Sequence, residues 1–213
     1  MTREYPLTTR GVARLQTLTD TAANLFLDQG YEAVSLDTLI ARAGGSRRNI
    51  YQHFGGKEGL FVGVVTRLCE EQGWPLRNLD IGDGDIGPAM TAFGEKLLDI
   101  ILQPRTLALH RLMVAEGQRF PALSQAILRS GHEAGVEILA EWLRLRRDKL
   151  RADLSPEVLA EQFVTLLVTG PQLRALVGHE SLPLSPSEIA RLVRETVSTF
   201  LHGALRGGKT PDA

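Results

Sequence analysis

One cysteine, Cys69, stands in a chain of 213 residues, so the chain can form no disulfide within itself and no cysteine-rich zinc site. No run of about 18 apolar residues occurs, and an ordinary membrane-spanning helix is therefore not expected. Neither sign of charge dominates: 24 Lys and Arg face 25 Asp and Glu, a formal charge of −1. Any attraction to a polyanion must then be local rather than global. The opening, Met1 to Gly11, carries Arg3 and Glu4 and lacks an apolar core, so it does not read as a secretory signal. A cytoplasmic protein is the expectation. Catalytic signatures are missing too, since neither a Glu-x-x-His pair nor a GxSxG elbow occurs. His110 and His132 are isolated, so no metal site, cofactor or catalytic residue is expected.

Alternating strand patterns are scarce, and apolar spacings of three and four recur instead, which predicts an all-α fold. Leu15, Leu18, Ala22 and Phe26 form the first stripe, ended by Gly30. Ser35 and Ser46 are placed to cap two short helices separated by Gly44-Gly45, and Phe54-Gly55-Gly56 precedes a fourth helix. From Gly73 to Gly87 the pattern fails, and a flexible loop is expected there. Its Gly82-Asp83-Gly84-Asp85-Ile86-Gly87 spells GxGxxG, but no strand precedes it and two aspartates would repel phosphate. Proline then opens successive helices at Pro88, Pro104 and Pro121, the last expected to run to about Arg147. Ser155-Pro156 and the capping box Ser185-Pro186-Ser187-Glu188 start the final two. Residues 207–213 read as a disordered tail.

The informative stretch is 35–57. Two short helices joined by a glycine-containing turn make a helix-turn-helix pattern, whose second helix can enter the DNA major groove. From Thr38 to Lys57 there are four cations, Arg42, Arg47, Arg48 and Lys57, and no acid, so this segment carries +4 and the remainder −5. Arginine suits phosphate or the O6/N7 edge of guanine, and Asn49 suits adenine. Tyr51 and His53 could pack on the sugar-phosphate backbone, and Lys57 at a helix start could hold a phosphate. Composition alone leaves a second reading open, a solvated charged face on an ordinary helical hairpin.

Residues 10–60 resemble the N-terminal domain of the TetR family of transcriptional regulators. The resemblance is carried by Leu25-Phe26, Gly30-Tyr31, Val34-Ser35, Ala43-Gly44-Gly45-Ser46, Ile50-Tyr51-Gln52-His53-Phe54, Lys57-Glu58 and Leu60. Gly45 stands where the family usually has valine, Arg48 where glycine is frequent and Ile40 where alanine is. Residues 60–205 are similar to the family's regulatory domain, in its AefR-like branch, through Arg119-Phe120-Pro121 and Ala160-Glu161-Gln162-Phe163.

The resemblance implies a DNA-binding domain at 8–56 and a helical ligand-binding and dimerisation domain at 57–206. It implies a homodimer through the last two helices, most simply a repressor on a palindromic double-stranded operator, released by a small lipophilic inducer. Ser35, Gly45, Ser46, Arg47, Arg48, Asn49, Tyr51, His53 and Lys57 are the expected DNA-binding set. Phe61, Val65, Trp74, Phe93, Leu97, His110, Met113, Glu116, Phe120 and Phe163 are candidate pocket residues, although each apolar one alone reads more readily as core than as a ligand contact. Phe163, Leu167, Leu192, Thr196 and Phe200 are the expected dimer contacts. The alternative is a helical enzyme or small-molecule carrier with a vestigial DNA module.

Overall fold

A computed structural model describes residues 9–179 and 183–203, and every regular element among them is helical. The expected tail at 207–213 lies outside the described residues. In chain order the α-helices are α1 Thr9–Ala33, α2 Leu36–Ala43, α3 Arg47–Phe54, α4 Lys57–Arg77 and α5 Ile86–Ile101. They continue with α6 Pro104–Glu116, α7 Pro121–Leu128, α8 Ala134–Arg144, α9 Pro156–Leu176 and α10 Pro186–His202. Most starts follow local chemistry. The hydroxyls of Ser35, Ser46, Ser155 and Ser185 accept from the backbone N–H three residues on, and Glu188 returns the bond to complete the capping box.

Chain packing divides the protein into two compact units. The first takes the described residues up to Glu71 together with Ala108–Ile127, and the second takes Gln72–Leu107 and the described residues from Leu128 on. The division therefore does not fall at the expected 56/57 boundary. Helix α4 as far as Glu71, most of α6 and nearly all of α7 pack with the first three helices. The first unit has a core of Phe26, Tyr31, Leu39, Ile50, Phe61, Val65, Met113 and Phe120. Four aromatic rings meet within it, with Phe61 4.9 Å from Phe26, 4.8 Å from Tyr31 and 4.9 Å from Phe120. Such contacts add to the area burial that aromatic side chains already supply.

In the second unit α5, α8, α9 and α10 surround Met90, Phe93, Leu97, Leu143, Phe163, Leu167 and Val193. Gly94 lets α5 approach its neighbours, since a Cβ there would meet a Val193 methyl at 2.9 Å and a Leu167 methyl at 3.1 Å.

Three departures from the sequence expectations have local causes. Helix α4 continues past Gly73 and through Pro75 to Arg77, so the break comes later than the glycine and proline suggest. The helix expected from Pro121 to Arg147 is interrupted by a π-helical turn at Arg129–Glu133, around Gly131. The 79–85 loop is not free, which corrects the flexible reading. The Trp142 indole N–H donates to the Gly82 carbonyl at 2.6 Å, and the Arg146 guanidinium lies 3.8 Å over the indole ring. Replacing Trp142 with phenylalanine keeps one aromatic ring and deletes that donor together with part of the buried indole. The expected cost is about 1 kcal/mol, with faster amide hydrogen exchange across 80–85; unchanged exchange would show that the indole bond does not hold the loop.

Candidate nucleic-acid interface

Helix α3 has eight residues and one fully buried side chain, Ile50, which is 0 % exposed. Ile50 anchors the helix to the core of the first unit, while Arg47, Arg48, Asn49, Tyr51, Gln52 and His53 are all exposed. With Ile50, and Phe54 partly, packed on the core, the opposite face of this short helix is left to enter a groove. The Ser46 hydroxyl caps its start and Gly55 in the left-handed region ends it. Gly45 has φ +108°, a backbone conformation in which the valine usual in the family would be strained. Gly45 therefore shapes the turn, while the exposed Ser35 caps the start of α2. The Tyr51 ring packs over Gly56, where a Cβ would come within 3.3 Å of it, yet the residue stays 58 % exposed.

Two of the expected contacts are placed differently from the rest. The Lys57 ammonium donates to the Glu32 carbonyl at 3.3 Å and sits 4.2 Å over the Tyr31 ring. Burial pulls its pKa below the ordinary lysine value, partly offset by the Glu116 carboxylate. Lys57 is thus half-buried, and reaching a phosphate would require it to leave Tyr31. Arg47 is also engaged. Its Nε donates to Asp37 Oδ1 at 3.1 Å and its Nη2 to Asp37 Oδ2 at 2.5 Å. These hydrogen bonds and the paired charges lower the Asp37 pKa and raise that of Arg47. Asp37 was missed because it lies one residue outside the acid-free stretch; its position in the first turn of α2 is the signal that could have found it.

The candidate pocket residues do not form one group. Phe61, Val65, Met113 and Phe120 belong to the core of the first unit, and Phe93, Leu97 and Phe163 to that of the second. Trp74 is 62 % exposed, which removes it as a cavity wall, and His110 is half-buried. Glu116 accepts the Tyr31 backbone N–H at 3.4 Å, and Arg119 pairs with Glu32 while lying 4.7 Å over the Tyr31 ring. These two residues fasten the α6–α7 corner to the end of α1, a role no periodicity would have revealed.

The residues expected at a dimer contact differ in exposure within this chain. Phe163 and Leu167 are buried in their own chain, Phe163 with its ring 5.3 Å from Phe200. The apolar side chains left outside on α9 are Val158, Leu166 and Leu173, and Val177 follows just past its end; Leu166, Leu173 and Val177 are 51 %, 58 % and 69 % exposed. Leu192, Thr196 and Phe200 are half-buried on α10. Among the described residues no helix is long and apolar enough to cross a membrane, and no three potential metal ligands cluster.

Residues 18–64 match the family described as bacterial regulatory proteins, tetR family. Residues 88–203 match the AefR-like transcriptional repressor C-terminal domain. The A-factor receptor protein of Streptomyces griseus is 31 % identical over 201 residues, covering 91 % of this chain and 66 % of that protein. The transcriptional activator FasR of Mycolicibacterium smegmatis is 41 % identical over 46 residues, 22 % of this chain and 21 % of FasR. The chain thus spans less than two thirds of the length of either relative. Among solved structures, the flavonoid-responsive regulator FrrA superposes with a TM-score of 0.72 at 26 % identity, covering 89 % of this chain and 96 % of FrrA. A TetR-family regulator from Mesorhizobium loti superposes at 0.69 with 24 % identity, covering 91 % and 98 %. These proteins are regulators, so the helical-enzyme alternative falls away. The chain belongs to the TetR family of bacterial transcriptional regulators, with an AefR-like C-terminal domain.

Proposed function

We propose that the protein is a cytoplasmic homodimeric repressor that binds a palindromic DNA operator through α3 and leaves it when a small lipophilic ligand binds. The observation that carries this reading is helix α3 itself, with Ile50 turned in and Arg48, Asn49, Tyr51 and His53 turned out. The AefR-like repressor match supports repression over activation, since the similarity to FasR covers only 46 residues. A ligand-responsive mode is supported by two names, the A-factor receptor and the flavonoid-responsive FrrA.

Dimerisation is assigned to α9 and α10. Leu166, Gly170, Leu173 and Val177 follow one another at spacings of four, three and four, the seam spacing of paired helices. A two-fold axis through that seam would present two copies of α3 to half-sites about 34–36 Å apart. Ligand binding would act by linkage, favouring a conformer with wrongly spaced α3 helices; a coupling of about 1–3 kcal/mol changes operator affinity roughly 5–150-fold.

The test is a mobility shift on the DNA upstream of the protein's own gene, titrated with salt, with and without lipophilic compounds. A specific complex that weakens steeply with salt is expected. Arg48→Ala should lower operator affinity by about 5–150-fold, with dimerisation intact, if Arg48 reads a base edge. If it holds a phosphate instead, affinity falls equally on all sequences and the salt slope drops by about 1. Unchanged affinity would remove Arg48 from the interface.

A further inference from the structure

We propose that Asp37 is a positioning residue for DNA recognition, restraining Arg47 so that it contributes to operator choice rather than to indiscriminate phosphate binding. The inference rests on the DNA contact through α3 proposed above. Asp37 lies in the first turn of α2 and Arg47 is the first residue of α3. The two are ten positions apart, and the pair ties the starts of both helices together across Gly44-Gly45-Ser46. Both carboxylate oxygens are used, each by a different guanidinium nitrogen. This is the fork geometry that fixes a guanidinium in direction as well as in position.

Two consequences follow. First, a guanidinium has five N–H donors, and the pair occupies two of them. The remaining donors are held in one plane and at one place beside Arg48 and Asn49. Second, Asp37 cancels one of the four cations in the segment. Over 37–57 the charge becomes +3, and Arg47 no longer counts as a full phosphate ligand. Non-specific affinity scales with phosphates neutralised, whereas base contacts depend on orientation. A paired Arg47 therefore weakens binding to arbitrary DNA more than binding to the operator. Among the described residues no such carboxylate pairs with Arg42 or Arg48.

The experiment compares Asp37→Asn, Arg47→Ala and the double variant of the full-length protein, on random duplex DNA and on the upstream fragment that the wild type binds. Asp37→Asn frees one cation. The slope of log affinity against log salt on random DNA should steepen by about 0.9, which is up to about tenfold in affinity at 0.1 M salt. The ratio of operator to random affinity should fall. In the Arg47→Ala background the same change should alter neither slope nor ratio, because no guanidinium remains to be released. Asp37→Glu, which keeps the carboxylate, should stay near the wild-type ratio.

A slope unmoved by Asp37→Asn, or moved equally with and without Arg47, overturns the inference, as does an Asp37→Glu ratio as low as that of Asp37→Asn. A wild type that binds the upstream fragment no better than random DNA counts instead against the operator assignment. The random-DNA slopes still decide the role of Asp37.

Discussion

In the proposed dimer, replacing Leu173 with glutamate is expected to split the two subunits and abolish tight operator binding. Leu173 sits in the middle of the exposed α9 stripe, with Leu166 and Val177 on either side. In a two-fold interface the same patch is used by both subunits, residue i meeting residue j and the reverse, so one substitution places two carboxylates in the same desolvated seam. Ionised carboxylates tolerate neither the burial nor each other. Once the subunits separate, the second half-site must be bound by an independent molecule, and the avidity of about 10²- to 10⁴-fold that linkage provides is lost. Sedimentation equilibrium and a mobility shift on the full operator report both parts. A variant that remains dimeric would move the interface away from α9. A variant that becomes monomeric yet binds as tightly as the wild type would show that one α3 suffices.

The second large effect concerns Phe61, replaced by alanine. Its ring touches those of Phe26, Tyr31 and Phe120 and is fully buried. Removing it leaves a cavity bounded by the rings of Phe26 and Tyr31 on α1 and of Phe120 just before α7, so relaxation can recover little. The expected loss is about 3–5 kcal/mol. Against a typical domain stability of about 5–15 kcal/mol, that leaves the first unit close to unfolded at growth temperature. Urea unfolding should show the loss, and DNA binding should fall with it although Phe61 is fully buried. A shift under about 1 kcal/mol would mean that the four rings do not form the keystone described.

Much of the fold was legible in the sequence because helix signals are local. Ser35, Ser46, Ser155 and Ser185 mark starts, and spacings of three and four mark the buried faces. Helix α3 was legible for the same reason, since its capping serine, its buried isoleucine and its cations lie within eight consecutive positions. What escaped depends on distance along the chain. The hold of Glu116 and Arg119 on Tyr31 and Glu32 joins residues more than eighty positions apart. Pocket residues could not be separated from core because both are apolar and both recur at helical spacing. Phe163 and Leu166 illustrate the same limit on one helix: the stripe is wide enough to hide which edge meets its own chain and which meets solvent. The charge window, drawn from Thr38, stopped one residue short of the acid that offsets it.

The α6–α7 corner has a practical bearing on dissection of the protein. Leu109, Leu112, Met113, Phe120 and Leu123 complete the core that Phe26 and Phe61 begin, and they come from the far side of a gap in the chain. A fragment ending at residue 71, grafted onto a foreign effector, would carry α3, the helix proposed to read DNA, but not the side chains that complete its core. Portability of this reading head therefore requires a donor piece in two parts, with 108–127 supplied alongside it.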